Sequence, residues 1–121
     1  MSFTNKYIKR QIYCLVLFFC VINTNAFALT KSQQENIKTC EDLTFDGIRE
    51  YNSFPTTTKR MPVMDTTKIM RAAFTKQLMK KKNLSFSDSI TLCQQMYNHI
   101  ISLHEIGYSL EKIKQELLKW E

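Results

Sequence analysis

The sequence predicts an all-α domain, a small bundle of about four helices that follows an N-terminal signal peptide and holds one disulfide. Three observations lead to this fold class. Glycine and proline are scarce, with only two of each in 121 residues. Apolar residues recur at helical spacing in four stretches, and no stretch after residue 28 alternates like a half-buried strand. Two cysteines of the predicted domain fall on apolar helix faces.

The first 28 residues have the layout of a secretory signal peptide. Three basic residues and no acid lie within the first ten, an apolar run covers residues 12 to 22, and Ala26 and Ala28 form a small-residue cleavage site. The apolar run is too short for a membrane span, which needs about 20 apolar residues. We therefore predict a periplasmic or secreted domain of residues 29 to 121. An uncleaved segment that anchors this domain to the membrane is the alternative.

Cleavage changes both the charge and the cysteine count. Three of the 17 basic residues and none of the 11 acidic ones precede residue 29, so the net charge falls from +6 to +3. An exported domain with this small excess is not expected to bind nucleic acid. Cys40 and Cys93 remain, and an even pair in an oxidising compartment predicts one disulfide, worth about 4 kcal/mol of stability. Two buried free thiols are the alternative.

The first helix is predicted over residues 32 to 52. Ser32 and Glu35 fit a capping box, and Gly47 lies inside the helix at a cost of about 1 kcal/mol relative to alanine. Its predicted inner face comprises Ile37, Cys40, Leu43, Ile48 and Tyr51. Residues 53 to 64 hold both prolines and three consecutive threonines, which excludes a regular helix and makes this stretch the one long connection.

Three more helices follow, each with its own start or stop signal. Asp65 is predicted to cap a helix over residues 66 to 82, and Asn83 to end it. The next helix begins at Ser85 and runs to about residue 106, where Gly107 ends it. Ser109 caps a last helix over residues 110 to 119. The predicted inner faces comprise Ile69, Met70, Ala73, Phe74 and Leu78; Ile90, Cys93, Met96 or Tyr97, Ile100, Ile101 and His104; and Leu110, Ile113, Leu117 and Trp120.

No motif indicates catalysis or a cofactor, so we expect a non-enzymatic protein without metal. His104 and Glu105 begin like a zinc protease motif, but Tyr108 stands where the second histidine would be. Met61 and Met64 could present soft thioether ligands, so a periplasmic carrier of Cu(I) or of a small ligand is the alternative function. The more economical interpretation is that these methionines fill gaps beside a proline-bent loop.

Residues 105 to 114 resemble the helix-turn-helix corner of mercury-resistance-type transcription regulators. The resemblance covers about ten residues and lacks the rest of that family's winged domain. The features that carry it are common to turns between helices. A glycine ends one helix, a serine starts the next, and Leu110 and Ile113 pack back into the corner. In an exported protein we interpret this segment as a structural turn.

The remaining interpretation is a domain that acts through its surface, as a protein-binding module. In size, compartment and architecture it is similar to periplasmic immunity proteins, which implies a secreted toxin, a hydrolase or another envelope protein as its partner. Contact with the membrane would be transient or made through an uncleaved signal. The predicted partner-binding residues lie in the long connection and in a lysine cluster: Phe54, Arg60, Met61, Lys80, Lys81 and Lys82. A solvated helix end is the alternative for the lysines.

Overall fold

The computed structural model describes residues 29 to 56 and 59 to 120, and every regular element in that part of the chain is a helix. The helices are α1 (Lys31–Ser53), α2 (Val63–Lys80), α3 (Phe86–Glu105) and α4 (Leu110–Leu118). The predicted all-α class and the four helices are therefore confirmed. The predicted signal peptide lies outside the described residues. None of these four helices combines the length and the apolarity that a membrane crossing requires.

Local signals set most of the helix ends. Ser85 caps α3 by accepting the N–H of Asp88 at 3.0 Å, and Ser109 caps α4 by accepting the N–H of Lys112 at 3.2 Å. Asn83, with φ of 68°, and Gly107, with φ of 99°, follow α2 and α3 in the left-handed region that ends a helix. These four predicted start and stop signals are confirmed.

The predicted start of α2 is wrong, and so are the capping roles predicted for Asp65 and Ser32. α2 begins at Val63, with Pro62 as its N-cap, so Asp65 lies in the first turn and caps nothing. The Pro62 carbonyl accepts the first helical bond, from the N–H of Thr66 at 3.0 Å, and a proline at a helix start loses no helical donor. α1 begins at Lys31, which places Ser32 inside the first turn and not at the N-cap.

A disulfide between Cys40 and Cys93 joins α1 to α3, as predicted. The two sulfurs lie 2.09 Å apart, the two Cα atoms lie 5.9 Å apart, and both side chains are buried. Toward the start of both helices, the buried Asn36 amide donates to Ser89 Oγ at 3.2 Å. A covalent bond and a buried hydrogen bond therefore hold α1 and α3 in one register. The largest fully buried apolar side chains are Ile48, Met70, Phe74, Leu78, Met96, Ile100, Ile113 and Leu117.

The buried face of α1 differs from the predicted one at Leu43. That side chain is 47% exposed, whereas the neighbouring Thr44 is buried. The buried positions of α1 advance by four residues from Cys40 through Thr44 to Ile48, because the disulfide fixes Cys40 inward and sets the rotation of the helix. A buried threonine carries no apolar signal in the sequence, so the pattern of large apolar residues points to Leu43 instead.

The last helix packs against α2 and α3, while α1 packs most extensively against α2. Two side chains of α2 bond the carbonyls at the end of α4. Lys76 Nζ donates to the Leu118 carbonyl at 2.6 Å, and Gln77 Nε2 donates to the Trp120 carbonyl at 2.7 Å. Carbonyls at a helix end have no partner within their own helix, so these bonds stabilise α4 and fix its position on α2.

We expect the disulfide to supply a large share of the stability of this domain. Replacing Cys40 and Cys93 together by alanine in residues 29 to 121 should lower the free energy of unfolding by about 4 kcal/mol, as measured in a urea titration. A thiol reagent should find no free thiol in the denatured, unreduced wild-type domain. The double variant is also the control, because a reductant should destabilise the wild type and leave the variant unchanged. Equal stability of the reduced and oxidised wild type would contradict this expectation.

Candidate functional site

A cleft of about 330 Å³ opens between the C-terminal halves of α1 and α3, and we call it the α1–α3 cleft. The α1 side contributes Gly47, Glu50, Tyr51 and Phe54, and the α3 side contributes Tyr97, Asn98, Ile101 and Ser102. On each side these residues recur at spacings of three and four, so each set forms one face of a helix. Phe54 directly follows the last residue of α1 and is 50% exposed.

A glycine forms one wall of the cleft because an aromatic ring lies directly against it. A Cβ atom on Gly47 would stand 2.9 Å from Cε1, Cζ and Oη of Tyr97, closer than such atoms approach in real structures. The absence of a side chain at Gly47 therefore allows the Tyr97 ring to rest on the backbone of α1. This contact gives a reason for a glycine inside a helix, where the residue weakens helix formation.

The charge that lines the cleft is negative. Burial raises the pKa of the Tyr97 hydroxyl, and the nearby Glu50 carboxylate raises it further. The pKa of Tyr51 is raised in the same way, first by burial and then by Glu105. Both tyrosines therefore stay protonated at physiological pH, and each retains a hydroxyl hydrogen that it can donate.

Behind the cleft wall, Tyr51 is fixed by a histidine of α3. Its hydroxyl lies 2.9 Å from His104 Nδ1, and the two rings meet edge to face with centroids 5.6 Å apart. His104 is 8% exposed, and its other ring nitrogen, Nε2, has no hydrogen-bond partner among the described residues. Burial lowers the pKa of His104, and Lys59 lowers it further, although Glu105 acts in the opposite direction. The histidine is therefore held neutral and acts as a support for Tyr51.

The three predicted binding residues of the long connection have different environments. Phe54 is exposed and lines the cleft. Arg60 is exposed, and its Nε donates to the Asn52 carbonyl at 3.1 Å. Met61 is only 2% exposed, so its expected place on an accessible surface is wrong. The cause is Asn52, whose side-chain amide donates to the Met61 carbonyl and whose side-chain oxygen accepts the Met61 N–H, both at 2.9 Å.

The lysine cluster lies far from the cleft. Lys80, Lys81 and Lys82 are exposed at the end of α2, about 26 Å along that helix from its start at Val63. They form no ion pair with any residue that the structure describes. Met79 and Phe86, both partly exposed, flank them in the chain. The structure therefore separates the predicted binding residues into two surfaces. Lys76, another exposed lysine of α2, bonds the end of α4.

The methionines and histidines of interest for metal binding lie in unlike environments. Met61 is buried, whereas Met64 is 59% exposed one turn further on. His104 bonds Tyr51, whereas His99 is partly buried and meets Trp120 edge to face, with ring centroids 5.1 Å apart. In the described ranges, no group of three or more His, Cys, Asp and Glu side chains has a geometry that could hold a metal ion.

Sequence reasoning missed Glu50 and Tyr97 as site residues. Glu50, Tyr51 and Phe54 recur at helical spacing near the end of a predicted helix, and this pattern was available before the structure. Nothing in the sequence shows, however, that Tyr97 faces them, since that depends on how α1 and α3 cross.

In comparisons with known proteins, the chain matches no family model, no curated protein and no solved structure. Any functional conclusion therefore depends on the geometry and chemistry of this chain's own residues.

The lowered pKa of His104 makes stability depend on pH. Because its pKa in the folded state lies below the usual 6.5, the unfolded chain takes up the proton first as the pH falls. We expect the free energy of unfolding to decrease below about pH 6.5 and to level off only below the folded-state pKa. Urea titrations from pH 7.5 to about pH 4.5 measure this, and His104→Gln should flatten the dependence in this window. His99→Gln is the matched control, and a flattening by His99→Gln alone would refute the assignment.

The contact between Gly47 and Tyr97 predicts that Gly47→Ala has opposite effects on the free energy of unfolding in the presence and in the absence of the Tyr97 ring. Alanine favours a helix over glycine by about 0.5–1 kcal/mol, but in the wild type its Cβ would displace the Tyr97 ring. We expect Gly47→Ala to lower the free energy of unfolding by about 1 kcal/mol in the wild type. In a Tyr97→Ala background the same change should raise it by about 0.5–1 kcal/mol. The same sign in both backgrounds would show that the ring does not limit this position.

Proposed function

We propose that this protein is an exported protein-binding module that recognises its partner with the α1–α3 cleft and the connecting segment beside it. The observation that supports this most directly is the combination of a concave site with a half-exposed aromatic side chain, Phe54, at its edge. Aromatic side chains are enriched at the centres of protein interfaces. Phe54 differs from Phe86, which is also exposed, because it lies at the edge of a concave site.

The way in which the proposed surface is held also favours binding. The disulfide joins the two helices that form the cleft, and Asn52 binds both the carbonyl and the N–H of Met61, which ends the connecting segment at a fixed point. A surface that is already ordered loses little conformational entropy when it meets a partner, so more of the contact energy becomes affinity.

The most specific form of this proposal is an immunity or inhibitor protein that neutralises a secreted toxin or hydrolase. A small, exported, helical domain without a catalytic motif fits that role, because neutralisation needs only a stable surface. The residues 1 to 28 that would direct export have the signal-peptide pattern given above. The product of a gene that neighbours this one is the first candidate partner.

Site-specific photocrosslinking tests the proposal in the cells that make the protein. A photoreactive phenylalanine analogue at position 54 should give one discrete adduct with an envelope or secreted protein. The matched control carries the same analogue at Phe86, which is 59% exposed and lies at the opposite end of α3, about 16 Å along the helix from Tyr97. A real interface at the cleft should give the adduct at position 54 and not at position 86.

The partner identified in this way should then bind the purified domain, and Phe54→Ala should weaken binding by more than about 1 kcal/mol, the usual mark of a central interface residue. An inhibitor should also reduce the partner's activity at a ratio of one to one. Adducts at both positions, or a purified pair that does not associate, would contradict the proposed surface. A partner that binds and keeps its activity would retain the binding module and exclude the inhibitor.

A further inference from the structure

The α1–α3 cleft combines three aromatic side chains with one carboxylate. Tyr51, Phe54 and Tyr97 supply the rings, Glu50 supplies the carboxylate, and none of the basic side chains that the structure describes belongs to the lining. The faces of aromatic rings carry negative partial charge and attract a cation within about 6 Å of the ring centre. A carboxylate beside them adds a charge-assisted hydrogen bond. This composition selects a group that is both cationic and flat or apolar.

The charges around the cleft favour the same kind of occupant. Glu50 lies close enough to Tyr97 to raise its pKa, after the larger effect of burial, and Glu105 acts likewise on Tyr51. Two basic side chains of the connecting segment lie at this end of the domain but are not part of the cleft lining. Arg60 donates to the Asn52 carbonyl, and Lys59 acts on His104, behind the Tyr51 ring. An incoming cation therefore meets negative charge at the cleft wall.

We infer that the cleft receives an arginine side chain of the partner protein. The nature of this occupant, a side chain of a protein, rests on the proposed function; the preference for a guanidinium rests on the lining itself. Guanidinium is planar, stacks on aromatic faces and is more weakly hydrated than the lysine ammonium, so it loses less on entering an aromatic site. Its five donors can use Glu50 together with the side-chain oxygens of Asn98 and Ser102, which also line the cleft. The Asn98 oxygen already accepts from Gln94 Nε2 at 3.1 Å and has a second lone pair for a further donor.

The size of the cleft agrees with a single side chain as occupant. Its volume of about 330 Å³ lies at the lower end of the range for ligand sites, which is roughly 300–1,000 Å³. A helix or a strand of the partner would not fit into such a space. The partner's arginine would enter the cleft, and Phe54 at the edge would contact the surface around it.

Matched small probes test the inference on the isolated domain without knowledge of the partner. N-acetylarginine amide is titrated into isotope-labelled residues 29 to 121 and followed by NMR. The amide signals of Tyr97, Asn98 and Ser102 should shift and saturate. N-acetylcitrulline amide, which has the same shape without the charge, should bind about tenfold more weakly, because a charge-assisted hydrogen bond is roughly twice as strong as a neutral one. Glu50→Gln should weaken the arginine probe by a similar factor.

Three controls make the outcome decisive. Glu35→Gln removes an exposed carboxylate from the other end of α1 and should leave the affinity unchanged. Tetramethylammonium chloride represents a free organic cation, and N-acetylphenylalanine amide represents an apolar side chain. Tighter binding of either probe, equal binding of citrulline, no effect of Glu50→Gln, or no saturable shift with arginine would overturn the inference. None of these results bears on whether position 54 crosslinks a partner, so the two proposals fail separately.

Discussion

The covalent bond between Cys40 and Cys93 fixes the point at which α1 and α3 meet. Two turns further along α1 stands Gly47, and one turn further along α3 stands Tyr97, both within about 11 Å of the bond along their helices. Each residue of a helix has a set angle around the axis, so the bond limits which faces can oppose each other beyond it, and the crossing of the two helices decides which residues meet. The disulfide therefore holds together the two helices that form the cleft, and the close contact between Tyr97 and the α1 backbone depends on how they cross.

Polar contacts on both sides of the disulfide also fix the register of α1 and α3. The buried pair of Asn36 and Ser89 sets the register toward the start of α1 and α3, and the bond between Tyr51 and His104 sets it near their ends. A buried polar group without a partner would cost about 1–3 kcal/mol, so such pairs favour one arrangement of the helices over alternatives that apolar packing alone would accept. His104 is in this sense structural, although a buried histidine first suggests metal binding or catalysis.

The exposed charged residues of this domain divide into those that bond another element and those for which the described part of the chain shows no such bond. Lys76 belongs to the first group, since it bonds the end of α4, while Lys80 and its two neighbours are exposed at the far end of α2. Glu50 belongs to the second group and gives the cleft its negative charge. The small positive net charge of the domain is therefore a sum of a local negative site on one face and a basic helix end elsewhere. A partner would respond to the local charge and not to the sum.

By itself, the sequence determined the helical class, most helix ends and the cysteine pairing. Helix ends such as Ser85, Ser109 and Gly107 depend on bonds within one turn, and the pairing follows because only two cysteines remain after residue 28. The tertiary structure decided that Met61 is buried and that Tyr97 faces Glu50. The burial of Met61 depends on the bonds that the Asn52 side chain makes to its backbone, which residue spacing does not reveal. The position of Tyr97 depends on how two helices far apart in the chain are rotated against each other, and local spacing carries no information about that rotation.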